Sequence, residues 1–371
     1  WACFSVRSWS WSSAGSCCLC GVGFASWPND PMTPRGGARR YRVALAGYYG
    51  FGNLGDELLA RASLEALERA GVGRGNIVVL SNDPEGSRCA FGVDSVSRWR
   101  LRGVVSALRS SETLLLGGGG LFQDGTSLRS CLWYWGLVRL ARICGAVPWA
   151  LGQSIGPLRS AGARWMARDA LRACRVLHLR DAPSMEWAGR LGLSAVRGGD
   201  LALTLELPRA VGEDAGRTEK KTGRLLLNLR PSPDADRYAR LAASHAADFP
   251  GEVVGVALSG EDEVLLGAMK GAGELRLDRV ERVAGLEEAA RLWPGVSAAV
   301  GMRLHFAVLS ALWGTPLAVL PYDPKVEAFA RAVGVPCAGE KLPRPRPPTP
   351  LDRLSAVLEV DALCRTVLLR N

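Results

Sequence analysis

The chain has 371 residues, 48% of them hydrophobic, which is enough to bury a large core, suits two domains better than one, and excludes extensive disorder. Its 46 basic residues against 36 acidic ones give a formal charge of +10, and the basic residues are nearly all arginine, whose planar fork suits phosphate or carboxylate. No Lys/Arg block, zinc-finger spacing or RNA-binding aromatic signature accompanies that charge, so an anionic ligand is favoured over nucleic acid.

Residues 1–40 stand apart: they hold four of the twelve tryptophans together with Cys3, Cys17, Cys18 and Cys20, and show neither helical nor strand periodicity. They read as a disordered or non-native extension, with translation expected to start at Met32. Ser8, Ser10, Ser12 and Ser13 interrupt the apolar stretch that a secretory signal needs. Cys17, Cys18 and Cys20 lack a second Cys/His cluster to complete a four-ligand metal site, so no metal is expected. The remaining six cysteines show no C-x-x-C spacing, which points to a reduced, cytoplasmic chain. No uncharged apolar run reaches the ~18 residues of a membrane span; the longest apolar stretch, residues 132–147, carries Arg139 and Arg142.

From Tyr41 the pattern alternates between strand and helix. Residues 42–46 form an apolar run ending at Gly47, as a buried parallel strand does, and Leu58, Leu59, Ala62, Ala66, Leu67 and Ala70 then share one helical face. Further strands are expected at 77–80, 113–116, 148–151 and 176–179, with helices at 132–144, 164–173 and 183–191. Residues 207–223 turn polar and read as a linker between an N-terminal domain, 41–206, and a C-terminal one, 224–340. The second domain repeats the alternation, with strands at 225–229, 253–258, 297–300 and 317–320 and helices at 261–270, 286–293, 304–313 and 326–333. A proline-rich bridge and a final helix occupy 341–371. The fold class is α/β: two Rossmann-like domains facing across a cleft, with ligands beyond the carboxyl ends of the strands.

Three strand ends of the first domain carry glycine and small polar groups. The segment from Gly47 to Glu57 contains Gly50, Gly52, Asn53 and Gly55 before a helix, where backbone amides can meet an anion. Its simpler reading is a tight turn capped by Asn53 or Asp56. A dinucleotide fingerprint fits the glycines, but no acidic residue stands at the end of the second strand to hold a ribose except Asp83, beyond a turn. Gly117, Gly118, Gly119 and Gly120 lead to Asp124, a run whose entropic cost implies close backbone approach. Gln153 and Ser154 follow Gly152 at the third strand end.

In the second domain a strand runs into Arg303-Leu304-His305. If that segment is the strand-to-helix turn, Arg303 can grip an anion while His305 titrates near neutrality and moves a proton; otherwise His305 is a core residue and Arg303 a surface partner. Arg180-Asp181 occupies a matching strand end in the first domain, either facing the cleft or capping the next helix, and Tyr322-Asp323-Pro324-Lys325 offers another cation.

Taken in order, G-Y-Y-G-F-G-N-L-G-D-E at 47–57, the glycine run to Asp124, G-Q-S-I-G-P at 152–157, R-D at 180–181, R-L-H at 303–305 and Y-D-P-K at 322–325 resemble the polysaccharide pyruvyl transferase family, CsaB type, over about residues 42–335. The resemblance implies a GT-B-like fold, phosphoenolpyruvate as donor and co-substrate with no cofactor, and a pyruvate ketal on N-acetylmannosamine of a secondary cell-wall polymer to which surface-layer proteins anchor. It implies donor binding and catalysis by Arg303 and His305 and a donor contact by Arg180; Lys325, at the same edge, is expected as a further donor-binding cation. Asp56 or Asp124 is the expected proton acceptor for the sugar hydroxyls. A lipid-linked acceptor would bring the protein to the inner face of the membrane. Competing readings are a nucleotide-sugar glycosyltransferase of the same architecture and a non-catalytic glycan-binding or assembly protein.

Overall fold

A computed structural model describes residues 39–125, 128–208 and 223–369. The N-terminal segment with Met32, and all but the edges of the linker at 207–223, lie outside the described residues.

Short apolar runs become fully parallel strands because helices cover both faces of each sheet. The first sheet holds β1 (Tyr41–Ala46), β2 (Ile77–Ser81), β3 (Asp94–Ser97), β4 (Ser111–Leu116), β5 (Gly119–Phe122), β6 (Val147–Ile155), β7 (Leu177–Leu179) and β8 (Val196–Arg197). Their spatial order is β3-β2-β1-β4-β6-β7-β8, with β5 continuing along the far half of β6. The second sheet holds β9 (Arg224–Asn228), β10 (Glu252–Ala257), β11 (Arg279–Arg282), β12 (Val296–Gly301) and β13 (Leu317–Val319), in the order β11-β10-β9-β12-β13. In each sheet the order reverses beside its first strand, between β1 and β4 and between β9 and β12. That topological switch point opens a crevice at the carboxyl strand ends.

Helices α1 (Leu54–Arg69), α2 (Pro84–Phe91), α3 (Leu101–Arg109), α4 (Leu128–Ile143), α5 (Ala161–Arg172) and α6 (Ala182–Leu191) belong to the first lobe. The second carries α7 (Ala235–Ala247), α8 (Gly260–Gly271), α9 (Leu286–Leu292), α10 (Leu304–Leu312) and α11 (Pro324–Ala332). The final helix, α12 (Arg353–Leu368), returns to the first lobe, where Asp361 accepts from Arg69 at 3.0 Å and the Leu368 carbonyl accepts from Arg42 at 2.6 Å. One apolar core runs through both lobes, from Leu45 and Leu58 to Leu304, Phe306 and Val367. The Leu54 amide also donates to the Leu258 carbonyl across the lobes at 3.0 Å. The fold is therefore two Rossmann-like halves in a GT-B-like arrangement. Among the described residues no helix is long and apolar enough to cross a membrane, and all six described cysteines are unpaired.

Candidate active site

A cleft of about 970 Å³ lies between the lobes, lined from both sides. Its second-lobe wall is built where strands end: Arg230 after β9, Arg303 and His305 after β12, Tyr322 and Lys325 after β13. The first-lobe wall contributes Asn53, Gly55 and Asp56 at the start of α1, Gly119 and Gly120 at β5, Ser154 in β6 and Arg180 after β7.

Arg303 is the N-cap residue of α10 with extended backbone, so the segment is the strand-to-helix turn and both Arg303 and His305 reach the cleft. The guanidinium is nevertheless engaged. Asp262, fully buried in α8, accepts from Nε at 2.5 Å and Nη2 at 2.6 Å, and Ser259 accepts from Nη2 at 2.6 Å. The expected two-pronged clamp is thus already closed on Asp262, and Nη1 alone has no hydrogen-bond partner among the described residues.

His305 differs from the expectation too. Burial pushes its imidazole down to about 4; Asp200 opposes that, while Arg180, Lys325 and Arg303 add to it. The ring is neutral at pH 7 in the free protein rather than poised near neutrality. Its Nε2 is buried without a hydrogen-bond partner, 3.7 Å from Asp200 Oδ2. The ring can sit there only because residue 55 is glycine: a Cβ on Gly55 would lie 2.1 Å from His305 Nδ1. Gly55 is therefore the contact through which the first lobe seats the histidine of the second.

Asp200 went unnoticed in the sequence. It caps a short turn by accepting from the Ala202 amide at 2.9 Å, accepts from Arg180 Nη1 at 2.6 Å, and stands behind His305. Burial disfavours its charge, but Arg180 and His305 outweigh burial and hold the carboxyl below its usual range. The Gly198-Gly199-Asp200 sequence after a strand was the available signal. Arg180 also donates from Nε to Ser154 at 2.7 Å, while Asp181 caps α6, so the pair divides its work between the site and the helix.

Asp56 lies at the cleft with its pKa raised to about 6, chiefly by burial, opposed by the Asn53 amide and by Arg180, Lys325 and Arg303. Asn53 is the N-cap residue of α1 but turns its side chain to Asp56, at 2.5 Å. Lys325 sits 3.3 Å from Asp323. Arg230, also missed, donates to Tyr322 Oη at 2.9 Å and stacks over its ring at 4.8 Å.

Several expected residues stand elsewhere. Asp124 does not line the cleft: its two carboxylate oxygens accept from the Arg159 and Ser160 amides, each at 2.7 Å, and these bonds outweigh burial in lowering its pKa. It is a loop clamp, which corrects its assignment as a proton acceptor. The Gly50 amide is taken by Glu57 at 2.8 Å, the Gly52 carbonyl accepts from Arg282 at 3.1 Å, and neither glycine lines the cleft. Gly118 packs on Leu59, and Gln153 is buried with its amide on the Leu116 and Gly117 carbonyls. Gly119, at a φ of +119°, is where the chain turns into β5 in a conformation that L side chains avoid.

The far end of the cleft is aromatic. Tyr48 stacks on Phe51 at 3.9 Å, Trp99 meets Trp133 at 5.9 Å, and Trp187 completes the lining. Arg98, which the sequence did not mark, is buried among Phe51, Trp99, Trp133 and Tyr134, with its guanidinium carbon 5.0–5.5 Å from each ring.

The model of one family, polysaccharide pyruvyl transferase, matches residues 53–324, spanning both walls of the cleft. The chain belongs to the polysaccharide pyruvyl transferase family. No curated protein matches it. Among solved structures the chain is similar to the UDP-GlcNAc 2-epimerase of Methanocaldococcus jannaschii, at 10% identity and a TM-score of 0.53, covering 88% of this chain and 92% of that one. It is also similar to the UDP-GlcNAc 2-epimerase of Neisseria meningitidis bound to UDP-GlcNAc, at 9% identity and a TM-score of 0.51, covering 88% and 94%. These likenesses concern the fold. Membership in the family makes the protein a transferase acting on a polysaccharide.

Proposed function

We propose that the protein transfers pyruvate from phosphoenolpyruvate onto two hydroxyls of a sugar as a cyclic ketal, releasing phosphate. The supporting observation is the convergence of Arg180, Arg230, Arg303 and Lys325 from two lobes on a cleft that also holds a buried neutral imidazole with an unpartnered Nε2. Arg180, Arg303 and Lys325 already face Asp200, Asp262 and Asp323, so Arg230, whose buried Nε has no partner among the described residues, is the cation best placed to meet a small donor bearing phosphate and carboxylate, with the other three around it.

In the reaction the donor methylene gains one proton and becomes methyl, the bond from C2 to the phosphate oxygen breaks, and two sugar oxygens bond to C2. One of the two hydroxyl protons balances the methyl group, and the other leaves with phosphate. His305, neutral until the donor arrives, takes up a proton beside the bound anion and delivers it to the methylene. Asp200 holds Arg180 by a hydrogen bond and stands 3.7 Å from His305 Nε2, where it can pair with the ring once that ring is protonated. Asp56, with a pKa of about 6, is suited to accept a hydroxyl proton near neutral pH. The aromatic end of the cleft offers apolar faces to sugar rings. Ketal formation from an enol phosphate requires neither redox cofactor nor metal.

The acceptor we propose is N-acetylmannosamine of a lipid-linked secondary cell-wall polymer precursor, handled in the cytoplasm, with surface-layer anchoring as its purpose. Thermal-shift titration tests the donor: stabilisation by phosphoenolpyruvate is expected. Stabilisation by a sugar nucleotide and none by phosphoenolpyruvate would instead favour a glycosyltransferase.

A further inference from the structure

The excess charge of the chain is concentrated in one stretch. Between Arg98 and Gly192 there are fourteen arginines, no lysine and five acidic residues, so this stretch holds nine of the ten net positive charges. It supplies α3 to α6 of the first lobe, where Arg100, Arg102, Arg129, Arg139 and Arg142 are exposed.

The same surface exposes large apolar side chains: Trp99 at 62%, Leu101 at 66%, Leu128 at 46% and Leu132 at 53%. Leu128 and Leu132 are one turn apart on α4 and share a face. Helix α3 packs on α4, and the ring of Trp99, just ahead of α3, meets that of Trp133, the residue after Leu132 on α4, which joins the starts of the two helices into one ridge. The nearby acidic groups are occupied, Asp83 in capping α2 and Glu85 in a 2.7 Å pair with Arg88. Trp99 and Arg129 also line the cleft, so the ridge is continuous with its mouth.

We infer that this ridge docks the protein onto an anionic phospholipid bilayer, with Trp99, Leu101, Leu128 and Leu132 at the headgroup boundary and Arg100 and Arg102 against lipid phosphates. Apolar side chains ringed by arginine match a surface that is apolar beneath and negative above. A second copy of the chain matches poorly, because a two-fold contact would bring the arginines of both copies together. The inference goes beyond the pyruvylation reading and stands on the surface alone. If a lipid-linked acceptor is used, docking here would present its sugar at the cleft mouth.

The test is sedimentation of the full chain, without substrate, with vesicles of phosphatidylglycerol and phosphatidylcholine against vesicles of phosphatidylcholine alone. Binding to the anionic vesicles that weakens with salt is expected. Each arginine contributes roughly a factor of five, so Arg100→Ala with Arg102→Ala should weaken partitioning about thirtyfold. Leu101→Ser with Leu132→Ser should weaken it as well. All four positions are exposed and outside the cleft, so both variants should keep the wild-type melting temperature and turnover of a water-soluble acceptor. The inference is overturned if the wild type ignores anionic vesicles or if the variants sediment as it does. A wild-type dimer that Leu101→Ser with Leu132→Ser dissolves would overturn it too. Since no substrate is present, failure here leaves the pyruvylation reading standing, and the reverse also holds.

Discussion

Phosphoenolpyruvate binding should change the protonation of His305. In the free protein burial holds the imidazole at about 4. One negative charge of a donor within about 4 Å, at an effective permittivity of about 20, contributes ~4 kcal/mol. That is roughly three pKa units, so the imidazole of the complex should titrate near 7. Because binding raises the pKa, a proton should be taken up with the donor at any pH between about 4 and 7. NMR of histidine-labelled protein can follow this directly, since the chain has three histidines and His305→Ala assigns the signal. His178 is an internal control: it also titrates at about 4 because it is buried, and it does not line the cleft. A His305 signal with the same midpoint with and without phosphoenolpyruvate would refute the proposed proton delivery.

Other expectations follow from the same geometry. Gly55→Ala should displace the His305 ring and lower kcat about a hundredfold, read by steady-state kinetics at unchanged secondary structure. Asp56→Asn should cost a hundredfold or more in kcat, whereas Asp124→Asn should stay within about fivefold of wild type and instead lower stability by about 1–2 kcal/mol in urea titration. Asp262→Asn, which breaks the buried pair with Arg303, should destabilise the fold by about 3 kcal/mol and weaken donor binding. His178, with a folded pKa of about 4 below the unfolded value near 6.5, costs stability as pH falls through that window. Asp56 and Glu57, raised to about 6 and about 7, act in the opposite direction and add stability as pH falls. His178→Gln should therefore gain roughly 2–3 kcal/mol relative to wild type between pH 7 and pH 4.5, measured by denaturant melts at the two pH values.

The buried parallel strands were legible as short apolar runs, several of them ending at glycine, as at β1, β4 and β12. The apolar edge strand β13 was legible too, but the polar edge strands were not. β3 reads Asp-Ser-Val-Ser and β11 reads Arg-Val-Glu-Arg, polar sequences held in place by one neighbouring strand each. β5 was hidden inside the glycine run, where glycine usually marks a loop. At the site, strand-end position revealed Arg180, Arg303, His305 and Lys325. Their partners were invisible because contact is made across the chain: Asp262 lies 41 residues from Arg303, and Asp200 meets His305 from the other lobe. Local spacing likewise could not show that the carboxylate of Asp124 would be spent on two amides, or that Gly55 serves a histidine rather than a phosphate.

Transfer itself is the most direct test. The protein would be incubated with phosphoenolpyruvate and a lipid-linked amino-sugar glycan, with free phosphate followed in solution and the glycan examined by mass spectrometry. The account predicts one phosphate released per ketal-pyruvylated glycan, with both signals lost in His305→Ala. Release of phosphate without a pyruvylated glycan, or glycosyl transfer from a sugar nucleotide by the same cleft, would contradict it.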